Sequence, residues 1–394
     1  MSLTNSRHFS ARQLAVGLVG YCVFINLYAP QSILPLLSQQ LGASAAAVSN
    51  IITVSTLAVA LTAPFAGAVA DVLGRKRVIV VSMFALVIPT FMVGTAGSLS
   101  ELIFWRAIQG LVMPPIFAVT VAYIGDEWPV QEATTAAGIY SSGSSFGGFS
   151  GRLITGILAD LIGWRSGFFG LGAIALAGAL AVAFLLPHER KFVRSQGLLA
   201  SLKQMVAHLR NGQLVATYAV GFGVLFNFVL TFTFVSFHLA SAPYSLSASA
   251  LGALFVVYLA GSLLTPWIGW AVARFGRRRF VVGVIVVWVG GIVLTLAAPL
   301  VLIVAGLAVT AACGLICQAV STGYVTITAQ AGRSSAVGLY VTSFYAGGSF
   351  GAALGGAAWT FGGWPACVAL VALMLAVMGG IVFAAWARPN SAPA

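Results

Sequence analysis

Long apolar runs, each closed by a short polar or turn-rich stretch, recur along the whole chain. A helix needs about 20 apolar residues to cross the hydrocarbon layer of a bilayer. Cutting at the breaks gives twelve runs of that order: 13–37, 47–70, 78–97, 101–124, 134–159, 165–187, 213–239, 248–272, 280–299, 301–326, 336–358 and 365–387. The pattern predicts an all-α membrane protein of twelve transmembrane helices. The connections are short except between the sixth and seventh runs, so the chain divides into a half at 1–187, a linker at 188–212 and a half at 213–394. The first run is too long for a secretory signal and contains Asn26, Tyr28 and Pro30, which reads as an uncleaved first helix. In the linker Leu198, Leu199, Leu202, Met205, Val206 and Leu209 fall at helical spacing beside Lys203 and Arg210. That spacing predicts a short amphipathic helix on the membrane surface, tethering the halves.

Composition narrows the class. Of 394 residues 60% are hydrophobic and only 7% charged, too few to cover a soluble protein of this size. A cytosolic enzyme and a disordered tail are excluded. Forty-five Gly in so apolar a chain point to closely packed membrane helices. Cys22, Cys313, Cys317 and Cys367 lie scattered in apolar runs and form neither a disulfide framework nor a zinc site. No Walker loop, H-E-x-x-H or G-x-S-x-G sequence is present, so no enzyme activity, metal or bound cofactor is expected.

The net charge of +12 is topological rather than a nucleic-acid footprint. Arg7, Arg12, Arg75, Lys76, Arg77, Arg190, Lys191, Arg194, Lys203, Arg210, Arg274, Arg277, Arg278, Arg279, Arg333 and Arg388 all fall on one side of the twelve runs, and Arg165 alone on the other. By the positive-inside rule both termini are cytoplasmic.

The chain also repeats itself. Residues 61–80 and 263–282 share Pro64/Pro266, Gly67/Gly269, Gly74/Gly276, Arg75/Arg277 and Arg77/Arg279 at a constant offset. Gly138, Tyr140, Gly147, Gly148, Gly151, Gly156, Gly163 and Trp164 recur as the same residue types 200 positions later, and Asn26 has a mate in Asn227. Two pseudo-symmetric six-helix bundles related by an axis along the membrane normal are expected, which is a transporter architecture.

The stretch Gly67-Ala-Val-Ala-Asp71-Val-Leu-Gly74-Arg75-Lys76-Arg77 resembles the loop signature of the major facilitator superfamily in sequence and in position. Gly67 and Gly74 permit close helix approach and a tight turn, and Asp71 can satisfy the free N–H groups of a neighbouring helix start. Arg75 and Arg77 can reach Asp126 or Glu127. Such contacts would form a cytoplasmic gate, with Gly269, Gly276 and Arg277 as its second copy; the plainer role of the basic residues is to set topology. Ala273 stands where Asp71 would be, so the second copy is expected to be the weaker.

Arg106-Ala-Ile-Gln109-Gly110 resembles the R-x-x-Q-G element of proton-coupled members. A central Arg should face the bundle interior or water, or snorkel outward toward Glu101. Gly143, Gly147 and Gly151, with Gly148, form a smooth helix face. That stretch resembles the fifth-helix motif of the twelve-helix drug:proton antiporter group, with Gly147-Gly148 in place of its Gly-Pro. Arg152 follows, one to two turns before Asp160, with which it could pair.

The resemblance implies a bacterial-type inner-membrane secondary transporter, a monomer in the lipid bilayer that exports small organic molecules or drugs by alternating access. The proton gradient would drive it, and no nucleic acid would be bound. Candidate coupling or substrate residues are Asn26, Tyr28, Gln31, Arg106, Gln109, Tyr140, Arg152, Asn227, Gln318, Tyr324 and Tyr340. A second reading is an importer or facilitator of a small metabolite; two intramembrane arginines without deep carboxylates would suit one that carries a carboxylate or phosphate. A third, a non-transporting membrane enzyme or sensor, is opposed by the duplicated gate.

Overall fold

The computed structural model describes residues 10–189, 204–264, 267–329 and 332–386, and all its regular elements are helical. In order they are α1 Ala11–Leu27, a 3-10 turn Ala29–Ser32, α2 Leu34–Gln40, α3 Ala45–Leu73, α4 Arg75–Thr95, α5 Leu99–Val112, α6 Pro114–Glu127, α7 Val130–Leu161 and α8 Trp164–Leu185. The second half holds α9 Gly212–Ala240, α10 Ala248–Leu254, a 3-10 turn Phe255–Val257, α11 Tyr258–Leu264, α12 Ile268–Phe275, α13 Arg277–Leu294, α14 Leu300–Thr328 and α15 Arg333–Ala385. Among the described residues seven stretches are long and apolar enough to cross a membrane, the last of them 51 residues long.

Local chemistry sets the ends. Ser10, Ser44, Ser98 and Ser247 each cap a helix by accepting a backbone N–H three residues on. Pro129 and Pro299 precede α7 and α14. Three of the expected runs are interrupted. The first breaks at Tyr28, ahead of Pro30 and Pro35, and the fourth at Met113, ahead of Pro114 and Pro115. Proline has no N–H for the carbonyl one turn back, and its ring crowds that carbonyl. The eighth breaks at the 3-10 turn Phe255–Val257. The eleventh and twelfth runs form one element, α15, broken at Gly362 and Gly363.

Helices α3 and α4 meet at Gly74 (φ 89°), and α12 and α13 meet at Gly276 (φ 76°). Both turns need a backbone that a side chain disfavours, and both sit among the clustered arginines. That side of the bundle is called the basic end, and the opposite side the far end. Within the halves, α1 packs along α7 and α9 along α15. Between them, α3 meets α15 and α7 meets α10, mostly toward the far end. The four cysteines are buried and free.

Of the linker helix, Leu198, Leu199, Leu202 and Lys203 lie outside the described residues, as do Arg7, Arg190, Lys191, Arg194 and Arg388. Residues 204–208 are helical. There Gln204 accepts from Ser335 Oγ (3.3 Å), and His208 Nε2 lies 3.1 Å from the Gly332 carbonyl oxygen.

Candidate functional site

A cavity of about 530 Å³ lies between the two halves, lined by α1, α7, α9, α11, α14 and α15. Of the expected candidates it takes Tyr28, Gln31, Tyr140, Arg152 and Gln318. Arg152 is the single charged side chain among its described lining residues, only 2% exposed. Its Nε and Nη2 donate to the same oxygen, Gln31 Oε1, at 2.9 and 2.7 Å, and Nη1 donates to the Gly148 carbonyl. Gln31 in turn donates to Thr233 Oγ1 of α9 (3.0 Å), and Ser32 Oγ donates to the Arg152 carbonyl (2.8 Å). The guanidinium carbon is 4.2 Å from the Phe255 ring centre, 5.1 Å from Tyr28 and 5.2 Å from Tyr258. Aromatic faces favour a cation, yet no carboxylate among the described residues neutralises this one. The pairing expected with Asp160 does not form. Asp160 accepts instead from the backbone N–H groups of Ala248 (3.2 Å) and Ser249 (2.8 Å) and from Ser249 Oγ. The Tyr28 hydroxyl, buried at the same roof, has no hydrogen-bond partner among the described residues.

Arg106 is fully buried but does not line the cavity. It turns away from Glu101, which accepts from Gly97 N–H (2.8 Å) in its own turn, so the snorkelling reading is corrected. Its guanidinium donates to the carbonyls of Asn26 (3.0 Å) and Leu27, to Gln109 Oε1 (2.6 Å) and to Ser55 Oγ (3.0 Å). Gln109 donates to Thr90 Oγ1 (2.8 Å), and Thr90 Oγ1 lies 3.2 Å from Asn26 Oδ1. The carbonyls Arg106 serves are those left free where α1 ends at Leu27. Arg106, Gln109 and Asn26 thus form a strut that holds the break in the first span, rather than a cavity wall.

Three other candidates lie off the cavity for local reasons. Asn227 donates to Met378 Sδ (3.4 Å). Tyr340 shares a 2.7 Å hydrogen bond with Ser321. Tyr324 packs on Trp386, under the Arg277 guanidinium.

The glycines of α7 split between two faces. A Cβ on Gly143, Gly147 or Gly151 would collide with the backbone of α1 at Gly17, Tyr21 and Ile25. Gly147 and Gly151 have counterparts in Gly347 and Gly351, set against Phe222 and Phe226 of α9. Gly148 is corrected: it lines the cavity and faces Arg152, and takes no part in the packing seam.

At the basic end Arg75 pairs with Asp126 and donates to the Ala122 carbonyl (2.7 Å). The pair joins α4 to α6 inside the first half. Among the described residues, a Cβ on Gly67 or Gly269 would touch nothing within 4 Å, so no close approach of the kind expected of them is seen there. The side chain of Asp71 lies outside the described residues. The N–H groups at the start of α4 are taken by Glu189, which accepts from Arg75 (2.9 Å) and Lys76 (3.2 Å). Arg77 is exposed.

Sequence reasoning missed Glu189, 113 residues from Lys76, and the cavity residues Tyr258, Phe344 and Tyr345. The repeat held a signal for the last two, since Ser144 and Ser145, 200 positions earlier, also line the cavity.

The sequence profile described as Major Facilitator Superfamily matches residues 16–264. The chain belongs to that superfamily. It is 32% identical over 373 residues to the inner membrane transport protein YnfM of Escherichia coli (strain K12), covering 92% of this chain and 88% of that protein. It is also 32% identical over 156 residues to the multidrug resistance protein MdtG of Proteus mirabilis (strain HI4320), covering 40% and 38% of the two chains. The fold of a mutant form of the nucleoside transporter NupG superimposes with a TM-score of 0.78 at 16% identity, covering 95% of this chain and all of that one. The protein is therefore a membrane transporter of the facilitator fold, not an enzyme, and the cavity under Arg152 lies where its two halves meet.

Proposed function

We propose that this transporter moves a small organic anion with an apolar or aromatic body, by alternating access of two six-helix halves with twelve crossings in all. The observation that carries the reading is Arg152: buried at the roof of the cavity, caged by three rings, and without a carboxylate among the described residues. Burying a guanidinium costs several kcal/mol unless it is paired. A carboxylate or phosphate of the substrate supplies that pair, bidentately on a planar fork. The unpartnered Tyr28 hydroxyl offers the anion a further donor, and the aromatic lining suits an apolar body. With the basic end cytoplasmic, in the inner membrane of a bacterial-type cell, the seams at the far end close the outer side, and the cavity serves the inner side. Arg75 with Asp126 then belongs to the cytoplasmic gate, with Asp71, Gly74 and Arg77 beside it.

The test is ligand-dependent thermal stabilisation of the purified protein with benzoate, cinnamate and phenyl phosphate, each against its uncharged amide or ester. A ligand at 100 times its Kd adds about 2.7 kcal/mol to the folded state. The acids should stabilise the wild type and not Arg152→Gln. Equal stabilisation by the uncharged partners, or none by any acid, would count against the reading.

Proton-coupled drug efflux is the second reading, favoured by the resemblance to a multidrug resistance protein over 156 residues. Flux in proteoliposomes under an imposed pH gradient separates the two. A lipophilic cation carried against the gradient would displace the anion proposal.

A further inference from the structure

A second hollow lies outside the cavity, on the flank of the second half. It is an apolar groove of about 660 Å³ between α11 to α14, walled by Leu264, Val284, Val287, Val309 and Ile316, with Arg274 and Arg279 at its mouth. Four arginines cluster there, and two are already engaged. Arg277 stacks over Tyr324 (4.6 Å) and Arg278 over Phe383 (4.1 Å). Arg274 and Arg279 are exposed, and among the described residues neither has a hydrogen-bond, ion-pair or ring partner. The half they belong to cannot neutralise them, because the chain has no Asp or Glu after Glu189.

The depth of the groove matters as much as its charge. Val287 stands eight residues beyond Arg279 on α13, or about 12 Å at the α-helical rise. That is close to one leaflet's hydrocarbon thickness, about 15 Å. A basic mouth over an apolar slot one leaflet deep fits a molecule with a phosphate at one end and an acyl chain at the other. Basic pockets between membrane helices at this level bind anionic lipid headgroups.

We propose that this groove is a site for one anionic phospholipid, its phosphate between Arg274 and Arg279 and one acyl chain along Val284 and Val287. The site stands apart from the transport cavity and does not depend on the substrate assigned to it.

Native mass spectrometry of the purified protein tests the idea, with dioleoylphosphatidylglycerol and dioleoylphosphatidylcholine as probes. The wild type should hold one phosphatidylglycerol in preference to phosphatidylcholine. Replacing both Arg274→Ala and Arg279→Ala should weaken that binding roughly thirtyfold, the effect of two basic residues at an anionic surface. Arg278→Ala, whose guanidinium is held on Phe383, should have a much smaller effect. Among the described residues a Cβ on Gly283 would meet nothing within 4 Å, so Gly283→Phe has room to fill the groove; it should expel the lipid with both arginines intact. An unchanged thermal midpoint shows that each variant is folded. Retention of phosphatidylglycerol by the double arginine variant overturns the site. Retention by Gly283→Phe overturns the groove and leaves only surface charge. Displacement of the lipid by millimolar inorganic phosphate overturns the lipid as occupant.

Discussion

Two nitrogens of Arg152 share one acceptor, Gln31 Oε1, at 2.9 and 2.7 Å, and among the described residues that oxygen is the only side-chain acceptor the guanidinium has. Gln31 is itself held from the other half, by Thr233 of α9. The one charge among the cavity's described lining residues is therefore aimed by a residue that touches both halves. A guanidinium with five donors and two acceptors is left under-satisfied, which is the state a ligand anion would relieve.

Gln31→Ala removes that acceptor and the tie to Thr233. A buried donor left unsatisfied costs about 1–3 kcal/mol. The thermal midpoint should fall, and an anionic ligand should restore more of it than in the wild type, because the anion takes over the lost acceptor. Gln31→Glu should act oppositely: it neutralises Arg152 internally, raises stability and abolishes anion binding. Unchanged anion binding in Gln31→Glu would remove Arg152 from the substrate site.

Arg106 calls for a different outcome. It serves the free carbonyls of Asn26 and Leu27, so Arg106→Ala strips several hydrogen bonds from a buried break in the first span. Each buried acceptor left without its donor costs about 1–3 kcal/mol. The folded yield and the thermal midpoint should drop together, and Arg106→Lys should not rescue them, since an ammonium cannot span two carbonyls, Gln109 and Ser55 at once. Any protein that does fold should keep its ligand affinity. A normal midpoint with lost affinity would move Arg106 back into the cavity.

The two glycine faces of α7 can be separated directly. Gly147→Leu and Gly151→Leu drive a branched side chain into the backbone of α1 at Tyr21 and Ile25. Overpacking of this kind typically costs about 1–3 kcal/mol, and here it falls on backbone that cannot rotate away. Both variants should lose folded protein. Gly148→Ala adds its methyl toward the cavity, 3.6 Å from Arg152 Nη1, so it should fold normally and alter ligand affinity. Thermal midpoint and ligand-induced shift, read on all three, decide it.

How much of this was legible in the sequence depends on what each residue packs against. Most span ends were readable because hydropathy and the turn glycines Gly74 and Gly276 are local signals. A flat face on α7 was readable because three glycines recur at a spacing of four; that α1 is the helix set against it was not. Arg106 lies off the cavity because it serves backbone carbonyls of Asn26 and Leu27, and no spacing rule ties it to residues some 80 positions earlier. Tyr258 and Tyr345 were missed for a related reason. A helix that is apolar all round has no polar stripe to mark its cavity side. Glu189 escaped because a cap supplied from over a hundred residues away leaves no spacing rule to recognise.

The last prediction concerns the far end. Asp160, near the end of α7, accepts from the N–H groups of Ala248 and Ser249 and from Ser249 Oγ, all at the start of α10. These N–H groups have no partner within their own helix. The contact crosses between the halves, and Gly156 and Gly252 let the two backbones close beside it. The Arg75–Asp126 pair, by contrast, lies inside one half. On the alternating-access proposal, the seam that parts when the far end opens is the one Asp160 fastens. Asp160→Ala removes three hydrogen bonds at a partly exposed site, worth about 1–2 kcal/mol net once water replaces them. A shift of that size moves a two-state equilibrium roughly tenfold. Spin labels at Ile162 and Ser241, both exposed and one in each half, should therefore report a longer-distance population in Asp160→Ala that is scarce in the wild type. Ser249→Ala, which deletes one of the three bonds, should give an intermediate population. Gly156→Ala should give a larger one without touching the carboxylate, because its methyl would press on the Ala248 backbone. Identical distance distributions in all four proteins would show that the seam is held by packing elsewhere, along α3 and α15, and that Asp160 only caps a helix.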